Sequence, residues 1–245
     1  MTLMLANDAL LATSAFLGLY TALHQLWPEP KRRAWIITTF AAGLSVLFSL
    51  VFIADVLKAH GDLSVLGARA GLGRVVVSVF QGYLLADVVA GALHYASQMN
   101  LLTGWIHHGV YIALLQYVLS RRPVWSSIFA LALIMELPTF LLGAARLNPA
   151  FRQDALFSAA FFATRICFHV VLIASYAMPG VRPEGSWGPF VCFCAAFPMH
   201  AMWFTRQLAL RRERIATKLV VAPIPTPVAE EEEGEDLRAF QSPPP

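Results

Sequence analysis

The chain is 245 residues long, 58% hydrophobic and 13% charged, with a formal net charge of +3, whereas an ordinary soluble domain is roughly a quarter charged. Its mean hydropathy is +0.61, and its charges collect between long apolar runs, which excludes a soluble enzyme and leaves no concentrated basic face for nucleic acid. The expectation is an all-α polytopic membrane protein with a short tail.

Apolar runs near the roughly 20 residues that take a helix across a bilayer fall at about 9–27, 35–57, 75–95, 105–120, 124–145, 155–178 and 187–208. About seven transmembrane helices follow, because only helices satisfy their own backbone in lipid when segments are this long and this apolar. The opening stretch MTLMLANDALLATSAFLGLY has no basic region ahead of its apolar residues, so it is expected as a retained first span and not as a cleaved signal. Lys31, Arg32 and Arg33 follow it, and Arg206, Arg211, Arg212, Arg214 and Lys218 follow the last span. The excess of positive loops on that side predicts a cytoplasmic C-terminus, with Lys58, Arg69, Arg74, Arg121 and Arg122 on the opposite side.

Span three carries Asp87 and His94 seven residues apart, two helical turns, and therefore on one face. Gly82, Ala90 and Gly91 in the same span suit close approach of a neighbouring helix. Span four, GWIHHGVYIALLQYVL, contains Trp105, His107 and His108. Adjacent residues diverge by about 100° around a helix, so the two histidines are expected to divide their roles. Span five places Glu136 two residues before Pro138, whose ring removes a backbone hydrogen bond and frees a carbonyl near the carboxylate. Span six carries Arg165 and His169 at i, i+4 on one face, and span seven carries His200 just after Pro198. Cys167, Cys192 and Cys194 all lie in apolar runs and read as small packing residues, not a disulfide framework. The final stretch, VVAPIPTPVAEEEEGEDLRAFQSPPP, combines prolines with an acidic run and reads as a disordered tail.

An ionisable side chain in hydrocarbon costs roughly 2.5–3.5 kcal/mol on insertion scales. One or two buried polar contacts suffice to fix helix register, and this chain places more than that. Rise along each span puts Asp87, Glu136, Arg165 and His200 near mid-bilayer, with His94, His107 and His108 nearer the cytoplasmic end. A polar interior cavity open to the cytoplasm would house them all, and a histidine beside a carboxylate is an arrangement suited to general-base or nucleophilic chemistry, acyl transfer above all. No metal-ligand spacing is present.

Taken in order, GYLLADV (Gly82 to Val88), His107-His108, ELPTFLLGAAR (Glu136 to Arg146), TRICF around Arg165, and His200-x-x-Trp203 resemble the TRAM-LAG1-CLN8 (TLC) domain family over about residues 35–212. The resemblance is closer to the small TLC-domain proteins than to ceramide synthases, because the downstream His-Asp-x-x-Asp of the synthases has no counterpart in ALALIMELPTF, whose one acid is Glu136. It implies residues 1–34 as an added helix and basic loop, residues 35–212 (spans two to seven) as a six-helix bundle around a central cavity, and 213–245 as the acidic, proline-rich cytoplasmic tail. It implies binding or processing of membrane lipid or acyl chains, in lipid homeostasis related to sphingolipids, in the endoplasmic reticulum or another endomembrane. His107, His108 and Asp87 become candidate catalytic residues, and Tyr83, His94, Glu136, Arg165, His169, His200 and Trp203 candidate lining residues.

Three alternatives stand beside that expectation. A ceramide-synthase-like N-acyltransferase would take acyl-CoA as substrate and need no resident cofactor. A membrane redox protein would use the histidines of facing helices as haem ligands. A non-catalytic cargo or interaction receptor would make its contacts through the acidic tail.

Overall fold

A computed structural model describes the backbone of residues 2–221 and the side chains of residues 7–213 other than 103 and 210. The described residues contain helices and turns and no strand, as expected of so apolar a chain whose backbone must satisfy itself segment by segment. Ten α-helices run in order: α1 (Thr2–Leu23), α2 (Pro30–Arg33), α3 (Ile36–Lys58), α4 (Ala70–His94), α5 (His107–Ser120), α6 (Pro123–Ala132), α7 (Leu137–Leu147), α8 (Asp154–Phe161), α9 (His169–Ala177) and α10 (Gly188–Val221). Several join end to end through turns of altered pitch. A 3-10 segment, Leu63–Arg69, leads into α4, and another, Leu133–Glu136, links α6 to α7. π-Helical segments lead into α5 (Leu101–Ile106) and link α8 to α9 (Phe162–Phe168).

Five of these rods are long and apolar enough to cross a membrane: Asn7–Leu26, Pro30–Lys58, Leu63–His94, Pro123–Leu147 and Asp154–Ala177. The sequence reading expects seven. The two remaining segments are those diluted by polar residues: α5 is only 14 residues long and opens on two histidines, and α10 holds Pro198 and His200 before its run of arginines. Most charged residues lie at the ends of the rods. At one end Trp27 Nε1 donates to the Leu147 carbonyl (2.9 Å) and Arg146 lies over the Trp35 ring. At the other, Arg74 donates to the carbonyls of Leu119 (2.8 Å) and Arg121 (3.1 Å), and Arg122 pairs with Glu184. Guanidiniums that cap the last carbonyls of a neighbouring helix keep these charges at the rod ends, and Asp87, Glu136 and Arg165 are the charged residues left within the rods.

Residues Met1–Phe204 form one compact unit and Thr205–Pro245 a second. In the first, α4 is the central helix, packed on α1, α3, α5 and α6, and it is far more buried than α1. α3 packs along α7, and α7 along α8. Gly82 explains how α1 reaches α4: a Cβ there would fall 2.6 Å from both the Ala12 Cβ and the Ala9 carbonyl. Thr13 Oγ1 then donates to the Gly82 carbonyl at 3.2 Å, a contact that a longer side chain at 82 would hold open. In the second unit helix runs to Val221, where the sequence reading begins a disordered tail at 213; the arginine, glutamate, alanine and lysine residues of 211–218 favour helix, and the first proline is Pro223. Residues 222–245, with the rest of that expected tail, lie outside the described residues.

Candidate functional site

Most of the intramembrane polar residues sit where a helix changes its pitch. His107 and His108 follow directly on the π-segment Leu101–Ile106. Glu136 closes the 3-10 segment ahead of Pro138, Arg165 is inside the π-segment Phe162–Phe168 and His169 directly follows it, and His200 comes two residues after Pro198 within α10. Such turns loosen the i to i−4 ladder, so each helix offers a carbonyl or an extra side-chain direction at that level, and π-turns recur at functional sites for this reason. Asp87 is the exception, supplied by regular helix α4.

Asp87 is buried and shared by two partners. Tyr95 Oη donates to Asp87 Oδ1 at 2.7 Å, and His108 Nε2 stands 3.1 Å from Asp87 Oδ2. This second contact lies off the line of a good hydrogen bond, so it acts mainly through charge. Tyr95 reaches back to Asp87 because α4 ends at His94 and Tyr95 itself leaves helical geometry, at φ −149° and ψ 37°. On its other edge His108 Nδ1 meets the Gly104 carbonyl at 2.7 Å. Both nitrogens of His108 therefore face acceptors. One edge of the ring is bound to a carbonyl and the other is closed by the carboxylate, so the ring offers no open nitrogen to a ligand. Tyr83, also buried, packs edge-on against the same ring with centroids 6.1 Å apart. His108 with Asp87 is a buried, oriented pair.

Arg165 is likewise consumed from within. Its Nε donates to the Met135 carbonyl (2.7 Å), and its Nη2 donates to Thr139 Oγ1 (2.7 Å) and Glu136 Oε1 (3.3 Å). The planar guanidinium also lies over the rings of Phe161 and Trp203, at 5.4 and 5.5 Å. Glu136, with 23% of its side chain exposed, is the open end of this pair, while Arg165 is at 8%.

His169 is fully buried and His200 nearly so. Their Nδ1 atoms are 2.9 Å apart, and His169 Nε2 meets the Phe193 carbonyl at 2.9 Å. Pro198 lacks the N–H that would bond the Cys194 carbonyl, one residue beyond Phe193 in α10. Trp203 joins the parts: its ring is 6.1 Å from His200 and 6.0 Å from His107. His107 stacks on Tyr111 at 4.6 Å, one turn on, and among the described residues these ring contacts hold it without a hydrogen bond.

Residues 83, 87, 107, 108, 136, 165, 169, 200 and 203 are thus brought into one continuous cluster contributed by α4, α5, the α6–α7 junction, the α8–α9 junction and α10. His94 stands apart. It shares a helical face with Asp87 but lies two turns on, exposed, with its ring on Tyr20 at 5.2 Å. Where the sequence reading expects polar groups around a cavity, they meet one another directly, and His107, Tyr111, Glu136, Thr139 and Trp203 are the half-buried members that can be reached from outside. Tyr95 and Tyr111 are absent from the sequence-derived set. The i+4 spacing from His107 marks Tyr111, whereas nothing local marks Tyr95, whose hydroxyl reaches Asp87 only because the chain turns back. Among the described residues no group of three or more metal-ligating side chains forms. No protein-family model, curated protein or solved structure matches this chain.

Proposed function

We propose that this multi-pass membrane protein binds or processes a membrane lipid or acyl chain, with the polar end of the lipid received at the His107 and Trp203 side of the cluster. The observation that carries this reading is the joining of Asp87, His108, His107, Trp203, His200 and Arg165 into one polar centre inside an apolar helix bundle. Register alone would be met by one or two such contacts, and burying each further ionisable group is costly. The reading takes α5 and the first part of α10 as two further spans, seven in all, in a TLC-type arrangement with the C-terminus cytoplasmic and residence in the endoplasmic reticulum or another endomembrane. The order of motifs from Gly82 to Trp203 supports that assignment. The test is mass spectrometry of lipid that co-purifies with the intact protein and with His107→Ala, together with lipid profiles of cells lacking the protein. A lipid present on the wild type and lost from the variant is expected; unchanged profiles and no specific lipid would end the proposal.

A second, enzymatic reading is favoured by the difference between the paired histidines. With His108 committed to Gly104 and Asp87, His107 keeps a ring nitrogen available to take a proton or an acyl group. As an N-acyltransferase it would use His107 in that role, with Asp87 and His108 fixing the helix that carries it. Purified protein given an acyl-CoA and a long-chain amine should then yield amide, and a null result across chain lengths would leave the binding reading alone.

A further inference from the structure

We propose that His169 is a positioning residue that holds His200 in its Nδ1–H tautomer, so that the nearly buried His200 Nε2 becomes a second acceptor, behind the half-buried Trp203 and His107, for a lipid polar end that donates hydrogen bonds and enters past those two rings. The lipid part rests on the function proposed above; the tautomer part stands on geometry alone.

The Phe193 carbonyl can only accept, so His169 Nε2, 2.9 Å away, carries a hydrogen. A neutral imidazole with that hydrogen has its lone pair on Nδ1. His200 Nδ1 stands 2.9 Å from that lone pair, and a contact of this length between two ring nitrogens needs one proton between them, which therefore belongs to His200 Nδ1. His200 is left with an unprotonated Nε2. In water the opposite tautomer of histidine predominates, so this state is one the fold imposes, in the way a fixed partner on one ring nitrogen sets the chemistry of the other.

The ligand class follows from the balance of donors and acceptors. His107 and His200 flank Trp203, at 6.0 and 6.1 Å between ring centroids, and each holds an unprotonated nitrogen. The guanidinium nearby spends its Nε and Nη2 donors on Met135, Thr139 and Glu136, and its Nη1 makes no hydrogen bond among the described residues. The two ring acceptors select a hydroxyl, amine or amide N–H, because a mismatched buried polar group is left unpaired; a phosphate could meet only the Nη1 side of Arg165.

The experiment is nitrogen NMR of the full chain labelled with 15N-histidine, in phosphatidylcholine nanodiscs at neutral pH, with the His200 signals assigned by their loss in His200→Asn. Expected are a protonated Nδ1 and an unprotonated Nε2 at His200, and the reverse at His169. In His169→Phe the His200 signals should shift to the Nε2–H form. In His169→Asn, whose side-chain carbonyl can stand in for the Nδ1 acceptor, they should keep the Nδ1–H form. Adding a monoacylglycerol should shift the His200 Nε2 signal, and adding phosphatidate should not. A wild-type His200 that is Nε2–H or doubly protonated overturns the tautomer, and an unshifted His169→Phe overturns the positioning role. Should His169→Phe fail to fold, the wild type and His169→Asn decide. A response to phosphatidate alone, or to neither lipid, overturns the ligand class while the tautomer assignment stands or falls separately.

Discussion

Asp87 and His108 meet 3.1 Å apart, carboxylate to Nε2, with both side chains nearly closed to the outside. A second acceptor, the Gly104 carbonyl, holds the far side of the same ring. The pair is therefore part of the frame on which His107 is mounted.

Removing one member should show this. Asp87→Ala leaves His108 facing a void and costs roughly 3–5 kcal/mol of stability, the range for breaking a buried pair from one side. Asp87→Asn keeps an acceptor for Tyr95 and costs less. Tyr95→Phe deletes one buried hydrogen bond and leaves Asp87 Oδ1 without it, roughly 1–3 kcal/mol. Thermal unfolding of the purified variants in one detergent should rank them in that order, and an Asp87→Ala protein as stable as the wild type would remove the pair from the frame.

The adjacent histidines should separate cleanly. His107→Ala loses only ring packing on Tyr111 and Trp203, about 0.5–1.5 kcal/mol per aromatic pair, and should unfold near the wild-type temperature while losing the bound lipid. His108→Ala should lower the unfolding temperature first. Measuring stability and lipid recovery on the same preparations tests the division, and equal behaviour of the two variants would contradict it.

Arg165→Lys should be poorly tolerated although it conserves charge. A lysine cannot reproduce the fork that reaches Met135, Thr139 and Glu136 together, and each buried acceptor left unsatisfied costs about 1–3 kcal/mol. Glu136→Gln should be milder, because Glu136 is partly exposed and the bonds from Arg165 to Met135 and Thr139 survive. Unfolding temperatures of the two variants, compared side by side, check the order.

Gly82→Ala should loosen α1 from α4 and leave the polar centre in place. The added methyl would fall 2.6 Å from Ala12 Cβ and the Ala9 carbonyl, an overpacking cost of roughly 1–3 kcal/mol. Cross-linking of cysteines placed at Ala12 and Ala86 should become slower in this background, and an unchanged rate would show that the helices do not bear on each other at Gly82.

Much of the site was legible as residue types at helical spacings. Glu136 before Pro138, Arg165 four residues before His169, and Asp87 facing into its bundle are local patterns, and buried ionisable groups in apolar helices have few partners available except one another. His94 shows the limit of that reasoning. Periodicity assigns a face, but whether a neighbour covers that face two turns further on depends on where the other helices end, and here His94 lies beyond the packed layer. The choice between His107 and His108 was beyond periodicity for a related reason: it turns on the carbonyl that a π-segment leaves for His108 and on which neighbour supplies Asp87.

Composition and apolar run length determined by themselves that the chain is helical and made for a membrane, because both follow from segment-by-segment transfer out of water and need no knowledge of partners. Only the tertiary structure decided how many of those runs are long and apolar without interruption, that Tyr95 turns back onto Asp87, and that His169 and His200, 31 residues apart in sequence, meet nitrogen to nitrogen. Hydrogen bonds act over about 3 Å and depend on angle, so the pairing of donors with acceptors is a property of how separate helices are packed, which no local stretch of sequence contains.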